Sequence, residues 1–439
     1  MTEVSPNPHR IVIVGGGAGG LALATYLGRK LGKRGKAEVT LIDCSRTHIW
    51  KPLLHEVAAG TLDTHENEVE YLAQATHNHF RFRLGEMTGL DRDKREIEVA
   101  PTINDEGEEI IPQRHFGYDT LAIAVGSVSN HFGLPGVKEH CLFLDTTQQA
   151  EHFQRRLLEN YIKAQTQGHP LEPGQLDVAI VGAGATGVEL AAQLHAVSHL
   201  LNTYGLDNVH PEAIKLKLIE AADRVLPGVA PRLSAATRTE LERLGIEVIT
   251  GARVAEVRED GIATEDGTLI PSRLKVWAAG IKAPNFLKDL AGLETNRMNQ
   301  LVVRQTLQTT HDDNIFAFGD CAACPWPGHD NNVPPRAQAA HQQATLLGKS
   351  IRAKLAGKAL PDYKYKDYGS LVSLGEYSTV GNLMGNLLGQ VMIEGFVARL
   401  VYLSLYKMHQ VALFGIFRTA LVTAGHMFRR SVHPSIKLH

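Results

Sequence analysis

The chain has 439 residues, 44% hydrophobic and 21% charged, with a formal net charge of −2. That length exceeds one ordinary core and calls for two or three domains, and the near-neutral charge argues against a nucleic-acid binder, which wants a strongly basic surface. Four cysteines, Cys44, Cys141, Cys321 and Cys324, make no disulfide framework in a chain this size, so a reducing cytoplasm is the default compartment.

The first element is "RIVIVGGGAGGLALATYL". Its uncharged run from Ile11 to Leu27 imitates a signal-peptide core, but an acid and two prolines precede it and glycines crowd its middle. A strand, a glycine turn and a helix explain it better. Elsewhere no apolar run reaches the roughly 18 residues of a spanning helix. The turn reads Gly15-x-Gly17-x-x-Gly20, and the next strand, "EVTLID", ends on Asp43. The first glycine permits the tight turn, the second lets backbone approach a pyrophosphate, and the third lets helix pack on strand. The helix N-terminus then faces the phosphates, and the carboxylate closing the second strand accepts hydrogen bonds from a ribose diol.

The same grammar returns in "DVAIVGAGATGVELAAQL", with Gly182, Gly184 and Gly187, and "KLKLIE" ends on Glu220. Two dinucleotide turns in one chain usually pair FAD with a nicotinamide. The strand in "TLQTTHDDNIFAFGDCA" ends at Gly319-Asp320, and in two-dinucleotide flavoproteins such an Asp meets the ribityl chain or pyrophosphate of FAD. It lies far from the first turn, so the FAD domain is expected to be discontinuous: 1–150 and 286–350, with a nicotinamide domain, 151–285, inserted. "YDTLAIAVGSVSN", containing Gly126, and "LKVWAAGIKAP", containing Gly280, read as the crossover segments at the two seams. Gly15, Gly17, Gly20, Asp43, Gly126 and Asp320 are thus assigned to FAD, and Gly182, Gly184, Gly187, Glu220 and Gly280 to NADH. Glu220 would repel a 2′-phosphate, although Arg224, four residues on, leaves an opening for NADPH.

After "VPPR" an alanine-rich helix carries Gln338 and Gln342 four residues apart, on one face. Proline suits its first position, and the free N–H groups of Ala337, Gln338 and Ala339 would face the reduced flavin's pyrimidine edge. From Gly395 onward there is no Asp or Glu. Lys407, Arg418 and Arg429 recur every eleven residues, which returns each to within about 20° on a helix. That pattern fits an amphipathic helix in a membrane interface, favouring anionic lipid, with breaks at Gly415 and Gly425. A docking helix or homodimer face is the competing reading of this tail, which closes a C-terminal region spanning 351–439.

On "IVIVGGGAGG", "HIWKPLLHEVAAGTLD", "VGAGATGVELAAQLH", "VWAAGIKAP", "FGDCAACP", "VPPRAQAAHQ" and "ARLVYLSLYKMHQVALFG", the chain closely resembles the bacterial type II NADH dehydrogenases, single-subunit NADH:quinone oxidoreductases that pump no protons. The resemblance implies an α/β fold of two Rossmann-like, glutathione-reductase-like domains with a C-terminal membrane-attachment region. It implies FAD as cofactor, NADH as substrate, ubiquinone or menaquinone as acceptor, and peripheral attachment to the cytoplasmic face of the inner membrane. It also places Glu189 near nicotinamide and flavin, Lys51 close to FAD, and Gln338 and Gln342 toward the quinone, with a quinone passage around Met384 to Glu394. An amide can bond a quinone carbonyl without adding charge to an apolar tunnel. Cys321-x-x-Cys324 lacks the four ligands of a structural zinc site, and no metal is expected. The rivals are a sulfide:quinone oxidoreductase, which would use the cysteines, and a non-catalytic NADH-responsive flavoprotein.

Overall fold

The computed structural model describes residues 8–200, 209–373, 379–385 and 389–430, with side chains described outside 370–403 and 426–430. The chain enters a first sheet with β1 (His9–Val14), β2 (Ala37–Asp43), β3 (Arg81–Leu84) and β4 (Thr120–Ile123). It then builds a second sheet from β5 (Val178–Val181), β6 (Leu216–Ile219), β7 (Glu247–Ile249) and β8 (Leu274–Trp277). Finally it returns to the first with β9 (Gln308–Thr309) and β10 (Asp312–Ala317). Strand order is β9-β10-β4-β1-β2-β3 in the first sheet and β7-β6-β5-β8 in the second. Every pairing in both is parallel except β9 with β10.

Parallel strands covered on both faces need continuous apolar runs, and Ile11 to Val14 and Val178 to Val181 supply them, all buried. Helix α1 (Ala18–Lys30) follows β1, and α2 (Tyr71–Asn78) lies before β3. Helices α3 (Thr147–Thr166) and α4 (Ala185–Ser198) serve the second sheet. Leu54, Val57 and Ala58, from the "HIWKPLLHEVAAGTLD" segment, belong to the second sheet's core although they lie early in the sequence. Helix α5 (Ala337–Leu355) packs on the first sheet through Ala339, Ala344, Leu347 and Ile351.

Beyond α5, strands β11 (Gly369–Ser373), β12 (Thr379–Gly385) and β13 (Gly389–Glu394) form an antiparallel sheet. The quinone passage expected around Met384 to Glu394 falls here, where the side chains lie outside the described residues. Helix α6 (Gly395–Phe414) follows, then α7 (Ile416–Arg430). Gly415, at φ 82°, separates them, whereas Gly425 sits inside α7 and breaks nothing. The eleven-residue cationic stripe is therefore cut, with Lys407 on α6 and Arg418 on α7. Arg29 and Gln74 donate to the Leu413 carbonyl at the end of α6, at 2.6 and 3.1 Å, satisfying an orphan helix carbonyl with a cation where the dipole favours one. Helix α7 instead exposes Ile416, Phe417, Leu421 and Val422, Phe417 by 84%.

Candidate functional site

The two glycine turns have one geometry. Gly15 and Gly182 sit at φ 98° and 103°. A Cβ on Gly20 or Gly187 would collide with the carbonyl oxygen of Gly15 or Gly182, so only glycine lets helix and strand meet there. A Cβ on Gly17 or Gly184 would meet nothing within 4 Å, and neither α1 nor α4 has a side-chain cap. Open space beside uncapped N–H groups is what a pyrophosphate needs. The acids match as well. Gly16 N–H donates to Asp43 at 2.5 Å and Ser45 N–H at 2.7 Å, while Ala183 and Ala222 donate to Glu220 at 2.8 and 2.9 Å. Burial pushes the Asp43 carboxyl up, and its backbone N–H partners oppose that. The residues present fit two dinucleotides.

Lys51, Gly126 and Asp320 meet through a residue the sequence reading missed. Lys51 Nζ donates to the Ser127 carbonyl at 2.8 Å, and Ser127 Oγ donates to Asp320 at 2.8 Å. Lys51 also stands 3.6 Å from Asp145, which accepts from Ser129. Gly319 N–H donates to Gln343 Oε1 at 2.7 Å. Gln343 was missed because it lies off the Gln338/Gln342 face, about 100° round from Gln342, and is buried.

Helix α5 starts at Ala337 with Arg336 as an N-cap that makes no side-chain cap. Pro334 and Pro335 thus precede the helix instead of opening it, and the first-turn N–H groups of Ala337, Gln338 and Ala339 keep no side-chain partner from that cap. Gln338 and Gln342 do share a face. Their amides pair with the segment leading into β11: Gln338 with Asp367, Tyr368 and Gly369, Gln342 with Lys366 through both N–H and carbonyl at 2.8 and 3.1 Å.

Glu189 is the fifth residue of α4, whose first turn holds no acid. It is 6% exposed and lies 3.6 Å from His55 Nδ1. Burial pushes the His55 imidazole down to about 4, leaving it neutral at pH 7. The signal for His55 was in the "WKPLLHE" string. Gly280, at φ 86°, accepts from Asn130 N–H at 3.0 Å. Arg224 donates to the Pro227 carbonyl at 2.9 Å. All four cysteines are free, with Cys141, Cys321 and Cys324 buried. Burial pushes the Cys321 thiol up to about 11 and Cys324 and Cys141 to about 12, far from the thiolate that redox work requires. Among the described residues no three His, Cys, Asp or Glu side chains gather where they could hold a metal ion.

The pyridine nucleotide-disulphide oxidoreductase family model matches residues 9–344. A type II NADH:quinone oxidoreductase of Haemophilus influenzae is 41% identical over 443 residues, 98% of this chain and 99% of that protein. The chain belongs to the type II NADH:quinone oxidoreductases. A type II enzyme of Staphylococcus aureus is 28% identical over 380 residues, 86% of this chain and 90% of its own. Among solved structures, NDH2 of Plasmodium falciparum in complex with NADH superposes with a TM-score of 0.81 at 20% identity, covering 98% of this chain and all of that one. The sulfide:quinone oxidoreductase of Aquifex aeolicus has the same fold, with a TM-score of 0.72 at 18% identity, covering 97% of this chain and 96% of its own. Among the described residues of this type II chain, no helix is long and apolar enough to cross a membrane.

Proposed function

We propose that the chain oxidises NADH and reduces a membrane quinone, ubiquinone or menaquinone, without pumping protons, from the cytoplasmic face of the inner membrane. The observation that carries this is the doubled turn-and-acid geometry, one copy for FAD and one for NADH, in a type II family chain. Flavin, when bound, supplies the hydride acceptor and the electron donor for the quinone. The residues position and exclude water. Asp43 and Glu220 take the two ribose diols. Lys51 and Asp320, joined through Ser127, hold the flavin side with Gly126, and the uncapped start of α5 at Ala337 and Gln338 favours negative charge there. Glu189, beside neutral His55, orients the nicotinamide. Gln338 and Gln342 act at the acceptor side, fixing the 366–369 segment that bounds it. The exposed apolar face of α7 lies in the lipid interface, with the cationic tail toward anionic headgroups, or covers the same face of a second copy in a homodimer.

Purified protein should show a flavin spectrum that NADH bleaches and a short-chain quinone restores. Sulfide should not bleach it, in keeping with the buried, protonated thiols. Glu189→Gln should slow bleaching by NADH in stopped flow. A yellow protein that NADH leaves oxidised would overturn the reading.

A further inference from the structure

Phe132 is an exposed aromatic held where a bulky residue does not willingly sit. Its φ is 53°, in the left-handed region that a side chain disfavours, yet the residue is 60% exposed. Burial in a core therefore does not account for the conformation. The surrounding turn enforces it: Asn130 Oδ1 accepts from Phe132 N–H at 3.0 Å, and His131 Nδ1 accepts from Gly133 N–H at 3.0 Å. Asn130 is fixed in turn by its N–H, which donates to the Gly280 carbonyl, and by Trp277 Nε1, which donates to the Asn130 carbonyl at 2.8 Å. Strain so firmly held points to function.

The place of the ring says which. Val128–Ser129 pairs antiparallel with Ile281–Lys282 at the seam between the two sheets. Phe132 follows one of these strands and Gly280 precedes the other. A Cβ on Gly280 would lie 3.0 Å from Phe132 Cζ, so the missing side chain leaves room for the ring. Just before Gly280, the Ala278–Ala279 backbone presses on Gly182, 2.6 to 2.7 Å from where its Cβ would be. The ring therefore stands at the carboxyl end of β8, beside the second glycine turn, on the segment that comes from Gly126. Ligands of parallel sheets gather at those carboxyl ends. A dinucleotide running from the second turn toward the flavin side crosses this point.

We infer that Phe132 covers the nicotinamide half of NADH as it leaves the second glycine turn, setting the enzyme's affinity for NADH. The inference rests on the NADH:quinone reading above. The ring contributes apolar contact and excludes water, and its fixed backbone lets it do so without ordering a loop on binding.

The test uses the flavin-loaded full chain. Phe132→Gly suits the left-handed backbone, so its melting temperature should hold or rise, while KM for NADH rises roughly five- to tenfold. KM for a short-chain quinone should not move, and Phe132→Tyr, which keeps the ring, should restore wild-type KM for NADH. A folded Phe132→Gly with unchanged KM for NADH overturns the inference. So does a change confined to oligomeric state on size exclusion, which would assign the ring to a second copy. Wild-type flavin that NADH cannot bleach would instead sink the functional reading itself, a separate outcome seen before any variant is made.

Discussion

The middle residue of each glycine turn gives its N–H to the acid closing the next strand, but its carbonyl goes to different partners. Gly16 accepts from the Tyr71 hydroxyl at 2.8 Å and also faces the His48 imidazole, which burial pushes down and the Gly16 backbone opposes only in part. The Ala183 carbonyl accepts from the backbone N–H of Leu226 at 2.8 Å. The first turn is thus clamped by side chains, one from α2 and one from the loop after β2. His48 carries the clamp on to α6, its Nε2 3.0 Å from His409 Nε2, with Trp50 against His409 at 4.4 Å between ring centroids. The second turn is closed by its own backbone. A cofactor that stays and a substrate that leaves ask for these two arrangements.

The sharpest way to break that comparison is to block each turn. Gly17→Val and Gly184→Val both project into open space, so both proteins should fold. Gly17→Val should purify without flavin absorbance. Gly184→Val should keep its flavin and raise KM for NADH by roughly tenfold or more. If both variants lost flavin, or if Gly184→Val alone did, the assignment of the turns would be reversed or void. A smaller effect tests the clamp. A Cβ on Gly16 would enter the Tyr71 ring, whose Cε1 lies 2.7 Å from it. Gly16→Ala should therefore destabilise the holoprotein by about 1–3 kcal/mol through overpacking, read as a lower melting temperature and weaker flavin retention. Ala183→Gly, the same exchange reversed at the second turn, should cost about 1 kcal/mol or less. Equal losses would mean that Tyr71 does not distinguish the two turns.

What the sequence revealed was whatever is local. Strand, turn, helix and terminal acid sit within one continuous stretch, so Gly15 to Asp43 and Gly182 to Glu220 were legible as turn-and-acid units. The pairing of Asp320 with the first half was legible because a strand ending in Gly-Asp has its own signature. The clamps were not. His48 and His409 lie 361 residues apart, and no periodicity joins them. The partners of Gln338 and Gln342 lie in the irregular residues 366–368 and the first residue of β11, which carry no pattern, so the face was legible and its occupant was not. Glu189 lies on the second turn of α4, which begins at Ala185, and its neighbour His55 comes from a five-residue helix more than a hundred residues earlier, a pairing no local pattern joins. The break at Gly415 was legible, and because of it Lys407 and Arg418 lie on different helices, since an eleven-residue repeat fixes a shared face only while the helix is unbroken.

The link from the first turn to α6 is the part of the asymmetry that pH can undo. Burial pushes His48 down to about 4 and His409 to about 2, the latter helped by its histidine neighbours His48 and His341. An unfolded histidine titrates near 6.5. Both folded imidazoles are then neutral at a pH where the unfolded chain already binds protons, so stability is full above about 6.5 and declines as pH falls toward the folded values. Each such histidine contributes a slope of about 1.4 kcal/mol per pH unit in that window. The holoprotein's melting temperature should fall between pH 6.5 and 4.5, and His409→Leu should flatten the fall by one histidine's share. Arg29 and Gln74 still hold the end of α6 in that variant, so the helix stays docked and the change in slope can be read. An unaltered slope would show that the pair keeps a proton in the folded state, and that the first turn is tied to the tail by a charged clasp, not a neutral one.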